Sequence, residues 1–199
     1  MTGRGAGSPW LGGVGLVLAG GESRRLGRDK ARLDGAALPR LAAERLAAVC
    51  SEVAVADRGR ELVPGHPSLP DAAGRGPAAG ILAGAAAYPG RPLLVLACDL
   101  PGVPAGLLAE LARSAGCDWA VPRWAGGLEP LCALYGPAAL EALAARVAAG
   151  RFALHGLAGE GGLAIRYLEG EELRRFGDPG EIFLNLNTPE DLESWRRQP

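Results

Sequence analysis

The chain has almost no lysine: of its 21 basic residues, only Lys30 is not an arginine. It also lacks any excess of charge, with a formal net charge of -1, so no global field draws it to nucleic acid or to an anionic membrane. Its four cysteines, Cys50, Cys98, Cys117 and Cys132, contain no C-x-x-C pair, which argues against structural zinc and against a disulfide framework. The opening MTGRGAGSPWLGG has no apolar stretch of the kind that directs export, and no run reaches membrane-spanning length. No internal repeat is visible either. These absences leave the expectation of a cytoplasmic, single-domain protein with a small-molecule partner, since 199 residues hold one substantial core rather than two.

What is present is concentrated in VGLVLAGGESRRLGRDKARL, Val14 to Leu33. The apolar run Val14 to Leu18 reads as a strand covered on both faces. Ala19-Gly20-Gly21 cuts it short, and Arg24, Arg25, Arg28 and Lys30 follow within ten residues. Adjacent glycines at the carboxyl end of a buried strand let backbone N–H groups approach a ligand that a Cβ would hold off. Clustered cations beyond them suit a polyphosphate, which points to a nucleotide site at the carboxyl edge of an open α/β sheet.

The remainder alternates. Residues 1–13 are Gly-rich and polar and read as a disordered lead-in; residues 14–199 form the domain. Pro39 opens a helix, Val53 to Ala56 is a short strand, and Ser68 to Pro70 is another short element followed by Asp71. A Pro/Gly-rich loop then feeds a helix over Ile81 to Tyr88. Pro92 to Cys98, the most hydrophobic run, is a central strand that ends at Asp99, a carboxylate on the edge where such sheets bind ligands. Pro104 begins a helix, Cys117 to Val121 and Leu131 to Tyr135 are strands, and Glu129-Pro130 directly before the second of them is a candidate site element. Pro137 opens a helix closed by Gly150. Leu163 to Leu168 and Ile182 to Leu184 read as late strands, and Thr188 caps the last helix. Alternating strands and helices with few hairpin signals indicate a three-layer α/β domain with a mostly parallel sheet.

Four motifs, in order along the chain, carry a resemblance. These are L-A-G-G-x-x-x-R-x-G-x-D-K (Leu18 to Lys30), Asp71 followed by GPAAGI (Gly76 to Ile81), Cys98-Asp99-Leu100-Pro101, and Asn185-Leu186-Asn187-Thr188-Pro189-Glu190. Together they resemble the nucleotidyltransferase superfamily and, more narrowly, the molybdenum cofactor guanylyltransferases. The resemblance implies a Rossmann-like nucleotide-diphospho-sugar transferase fold. It also implies that GTP and molybdenum-molybdopterin are the substrates, that GMP is joined to the pterin phosphate, and that pyrophosphate is released. Carried over by position, Leu18, Ala19, Gly20 and Gly21 hold the nucleotide, and Arg25 and Lys30 contact its phosphates. Asp71 reads guanine, Asp99 binds Mg²⁺, and Asn185 and Asn187 lie toward the acceptor. Transient contact with other cofactor-biosynthesis proteins is a further expectation. Where the family often has an Asn after the second strand, this chain has Ala56 and Asp57.

On the residues alone, Asp99 is also a possible cap of the following helix and Asp71 a possible turn residue. A carboxylate accepts both N1–H and the 2-amino group of guanine, whereas cytosine offers one exocyclic donor, so Asp71 favours guanine. A cytidylyltransferase, a guanylyltransferase for another acceptor, and a non-catalytic nucleotide-binding module are the alternatives.

Overall fold

The computed structural model describes residues 10, 12–20, 37–72 and 75–186. Among these, eight strands form one sheet: β1 (Val14–Leu18), β2 (Val53–Ala56), β3 (Ser68–Leu69), β4 (Leu93–Ala97), β5 (Trp119–Trp124), β6 (Gly127–Leu128), β7 (Cys132–Tyr135) and β8 (Ile165–Leu168). Their order is β3-β2-β1-β4-β7-β5-β6, with β8 beside β5. β1 pairs in parallel with β2 and β4, β2 with β3, and β5 with β8, while β7 runs antiparallel to both β4 and β5. Reversing twice through β7 points β5 the same way as β4. The carboxyl ends of β1 to β5 and β8 therefore share one edge.

Helices α1 (Ala37–Ala47), α2 (Pro77–Ala87), α3 (Ala105–Arg113) and α4 (Pro137–Ala148) cover the sheet. Neighbouring residues of a strand face opposite ways, and β1 shows what covers each side. An ideal Cβ on Gly15 would lie 3.0 Å from Leu46 Cβ on α1, whereas one on Gly84 of α2 would lie 2.7 Å from the Leu16 side chain. Gly15 thus looks onto α1 and Leu16 onto α2. With helices on both faces, all five residues of β1 and all five of β4 are buried, which is why both read as unbroken apolar runs rather than alternating ones.

Several boundaries differ from the sequence reading. The helix expected from Ile81 begins at Pro77, because Gly76 adopts φ 61° and Pro77 fits the first turn. Cys117 to Val121 is replaced by a strand reaching Trp124, which turns through Ala125-Gly126 into β6 as a hairpin. Ile182 to Leu184 is not a strand. Asp178 caps a short helix α6 (Pro179–Ile182) by accepting from Gly180 N–H at 2.7 Å, so the apolar residues there follow a helical turn. Another short helix, α5 (Gly170–Arg174), precedes it. Met1–Pro9 and the helix expected from Thr188 lie outside the described residues, but Trp10 donates to Val49 O at 2.6 Å and bridges Cys50. The docked chain therefore reaches back before Val14. No helix among the described residues is long and apolar enough to cross a membrane.

Candidate nucleotide and acceptor site

The strand order sets the site out along one edge. Asp71 follows β3, Asp57 and Arg58 follow β2, Gly20 follows β1 and Asp99 follows β4. Since these strands are neighbours in that sequence, the residues form a row across the carboxyl edge, the position where open α/β sheets take ligands.

The first part of the row is held by hydrogen bonds. Cys98 N–H donates to Leu18 O at 3.1 Å and Ala19 N–H donates to Ala56 O at 3.0 Å. The Ala19 carbonyl accepts from Arg60, whose Nε also donates to Asp57 O at 2.7 Å. Leu18 and Ala19 are thereby fixed between β2 and β4, and the chain leaves the sheet at Gly20. An ideal Cβ there would have Ala56 O at 3.6 Å and Arg58 Nε at 3.7 Å. Gly21, Arg25 and Lys30 lie outside the described residues.

Asp57, directly after β2, turns inward. It is 0% exposed; its Oδ2 accepts from Leu62 N–H at 2.8 Å and its Oδ1 from the Ser68 hydroxyl. The next residue, Arg58, points back over the edge, and its Nε meets Asp71 Oδ2 at 2.8 Å. Asp71 is thus half of an ion pair, an arrangement not visible in the sequence.

At the other end of the row, Asp99 gains two neighbours from distant parts of the chain. β7 is antiparallel to β4, with Leu96 opposite Cys132, so the exit of β4 meets the entrance of β7 and Asp99 faces Glu129. Burial, and then the charge of Asp99, push the Glu129 carboxyl up to about 7, against a hydrogen bond from Leu131 N–H. The second neighbour comes from the C-terminal segment, where Leu186 N–H donates to Asp99 O at 2.9 Å and brings Asn185 alongside. Asn185 Oδ1 is buried and finds no hydrogen-bond partner among the described residues. Asn187 lies outside them. Asp99 does not cap α3, which has Pro104 at its N-terminal cap.

Beyond Asp99, Trp124 and Phe183 stack with ring centroids 5.9 Å apart. Next to them is a depression of about 390 Å³ lined by Arg123, Trp124, Leu173, Arg174 and Asp178, among others. Trp124 ends β5, so this hollow opens on the same edge as Asp99.

The profile of the MobA-like NTP transferase domain matches residues 15–159. The chain belongs to the MobA-like NTP transferase family. It is 40% identical over 188 residues to a molybdenum cofactor guanylyltransferase of Cereibacter sphaeroides, covering 89% of this chain and 92% of that protein. It is 30% identical to the one from Syntrophotalea carbinolica, over 94% of this chain and 91% of that protein. Among solved structures, a molybdopterin-guanine dinucleotide biosynthesis protein A from Archaeoglobus fulgidus superposes with a TM-score of 0.74 at 27% identity, covering 92% of this chain and 96% of that one. A 2-C-methyl-D-erythritol 4-phosphate cytidylyltransferase from Thermus thermophilus shares the fold at 19% identity, with a TM-score of 0.66 over 92% of this chain and 97% of that one. As a MobA-like NTP transferase the chain is a nucleotidyltransferase, with the mostly parallel sheet of that fold. Arg58 was not singled out from sequence; Glu129 was, as a candidate site element, but without its place beside Asp99. The one sequence signal for Glu129 was a carboxylate lying directly before a buried strand.

Proposed function

We infer that the protein transfers GMP from GTP to the phosphate of molybdenum-molybdopterin, forming the molybdopterin guanine dinucleotide cofactor and releasing pyrophosphate. The observation that carries the reading is the row of Asp71, Gly20 and Asp99 along one sheet edge, in a chain whose relatives bear the guanylyltransferase name. The base would sit by Asp71 and the triphosphate would cross Gly20 toward Asp99. The acceptor would come from the side of Glu129, Asn185 and the Trp124 hollow.

An oxygen of the acceptor phosphate attacks the α-phosphorus of GTP while the bond from that phosphorus to the β-phosphate oxygen breaks, and pyrophosphate leaves with the electron pair. The attacking group is ionised near neutral pH, with a second pKa of about 6, so no general base is needed. The protein's task is to gather anions and hold them in line. Gly20 lets the chain pass close to the phosphates, and the resemblance assigns Arg25 and Lys30 to neutralise them. Asp99, the Glu129 carboxylate and Asn185 Oδ1, which has no hydrogen-bond partner among the described residues, are all hard oxygen donors, a set that fits Mg²⁺. Mg²⁺ held there would offset the negative charge of the α- and β-phosphates.

Mass spectrometry of the purified protein with GTP, CTP, Mg²⁺ and molybdopterin tests the reading. The expected product is the GMP adduct of the pterin together with pyrophosphate. A CMP adduct, or no adduct, would overturn it.

A further inference from the structure

The Arg58–Asp71 pair lies on the exposed rim of the nucleotide edge, with both side chains 38% exposed. An ordinary ion pair at such exposure contributes little to stability, yet this one is presented by a turn whose backbone is costly. Arg58 takes φ 65°, Gly59 φ 73° and Glu61 φ 54°. Residues with a Cβ avoid that left-handed region unless the surroundings hold them in it. The surroundings here are specific: the fully buried Asp57 carboxylate takes Leu62 N–H and the Ser68 hydroxyl, while Arg60 ties Asp57 O to Ala19 O. The result is an Arg58 guanidinium fixed between Gly20 and Asp71, with Nε on the carboxylate and its Nη donors on the same planar fork.

We propose that Arg58 is a specificity-determining residue that reads the base together with Asp71. Asp71 accepts from guanine N1–H and the 2-amino group, and the Arg58 fork donates to guanine O6. This base-edge role rests on the reading of the edge as a GTP site. The chemistry fits because N2–H, N1–H and O6 follow one another along guanine as donor, donor, acceptor. A carboxylate with a guanidinium bonded to its side offers acceptor, acceptor, donor in the same order. Arginine is a common partner of guanine O6 for the same reason. In adenine the acceptor O6 is replaced by an amino donor, which would meet the fork donor to donor.

The test compares equilibrium binding of GTP, 6-thio-GTP, whose sulfur is a poor acceptor, and CTP to the wild type, Arg58→Leu and Arg58→Lys. The wild type is expected to prefer GTP over 6-thio-GTP. Arg58→Leu, which removes an exposed side chain, should unfold at the wild-type temperature, bind GTP about ten- to a hundredfold more weakly, and bind the two guanine analogues equally. Arg58→Lys, which keeps the charge without the fork, should recover only part of the preference. If Arg58→Leu still discriminates GTP from 6-thio-GTP as the wild type does, or loses affinity for all three nucleotides by the same factor, Arg58 does not read O6. A wild type that fails to prefer GTP over CTP would instead sink the GTP reading itself, so the two failures are distinguishable.

Discussion

At the scale of the residue, two carboxylates at the end of β4 have different tasks and different costs. Asp99 holds the C-terminal segment through its backbone carbonyl, which accepts Leu186 N–H at 2.9 Å, a bond that does not depend on its side chain. Asp99→Ala should therefore keep the fold and abolish pyrophosphate release. Unchanged turnover with Mg²⁺, measured by a pyrophosphate-coupled assay, would remove Asp99 from the chemistry. Glu129 is half-buried beside a like charge, which pushes its carboxyl up to about 7. At pH 8 it is ionised at the expense of stability, because burial and Asp99 both disfavour the anion. Glu129→Gln should raise stability at that pH by on the order of 1 kcal/mol after allowance for solvent screening, while weakening Mg²⁺ binding seen by calorimetry. A variant less stable than the wild type would show that the carboxylate is engaged in the fold instead.

At the scale of the element, the segment carrying Asn185 is positioned by close backbone packing. An ideal Cβ on Gly102 would lie 2.5 Å from Glu181 O and 2.8 Å from Ile182 O, so the loop after β4 and α6 meet where no side chain fits. Gly102→Ala should push residues 179–186 away from Asp99 at a cost of about 1–3 kcal/mol. Thermal unfolding reads the loss, and a Tm equal to the wild type would contradict it. A second junction joins α3, β8 and α5, where Arg166 bonds Glu110 at 3.0 Å and also reaches Ser114 and Glu172. Burial raises the Glu110 carboxyl, but the hydrogen bonds from Arg166 and Arg113 outweigh it and hold the group below its ordinary value of 4.5. The folded state thus binds this proton less readily than the unfolded chain. The stabilisation is present above the unfolded value and is lost as pH falls through the folded one. Denaturant titrations between pH 5 and pH 3 should show that loss in the wild type and a shallower one in Arg166→Gln.

At the scale of the whole molecule, a nucleotide lying across β3, β2, β1 and β4 would bind elements from both halves of the sheet, and only when they are folded together. GTP at a hundred times its Kd would then stabilise the protein by about 2.7 kcal/mol, which in a chain of this length is a Tm rise of about 5–10 °C. CTP at the same concentration should give a clearly smaller rise. Equal shifts for the two nucleotides in a thermal-shift titration would count against base selection at this edge.

The sequence by itself determined the strands that are buried on both faces and the punctuation at their ends. Val14–Leu18 and Leu93–Ala97 carry their burial in composition, and Gly20, Asp71 and Asp99 stand at carboxyl ends that local chemistry marks. It did not determine the direction of β7, because an apolar run of four residues reads the same in either orientation. That reversal sets Glu129 against Asp99. Nor could it foresee that Asp57 would turn inward and send Arg58 to Asp71, since the choice was made by Ser68 and Leu62 N–H, brought to β2 by the pairing of β3. The chain's only asparagines, Asn185 and Asn187, were legible as a motif. That Leu186, the neighbour of Asn185, bonds Asp99 O goes with the close approach of Gly102 to α6, a contact between residues some eighty positions apart in the chain. Local propensity acts over a few residues and was readable; hydrogen bonds and packing between distant segments depend on how the sheet assembles, and only the tertiary structure decided them.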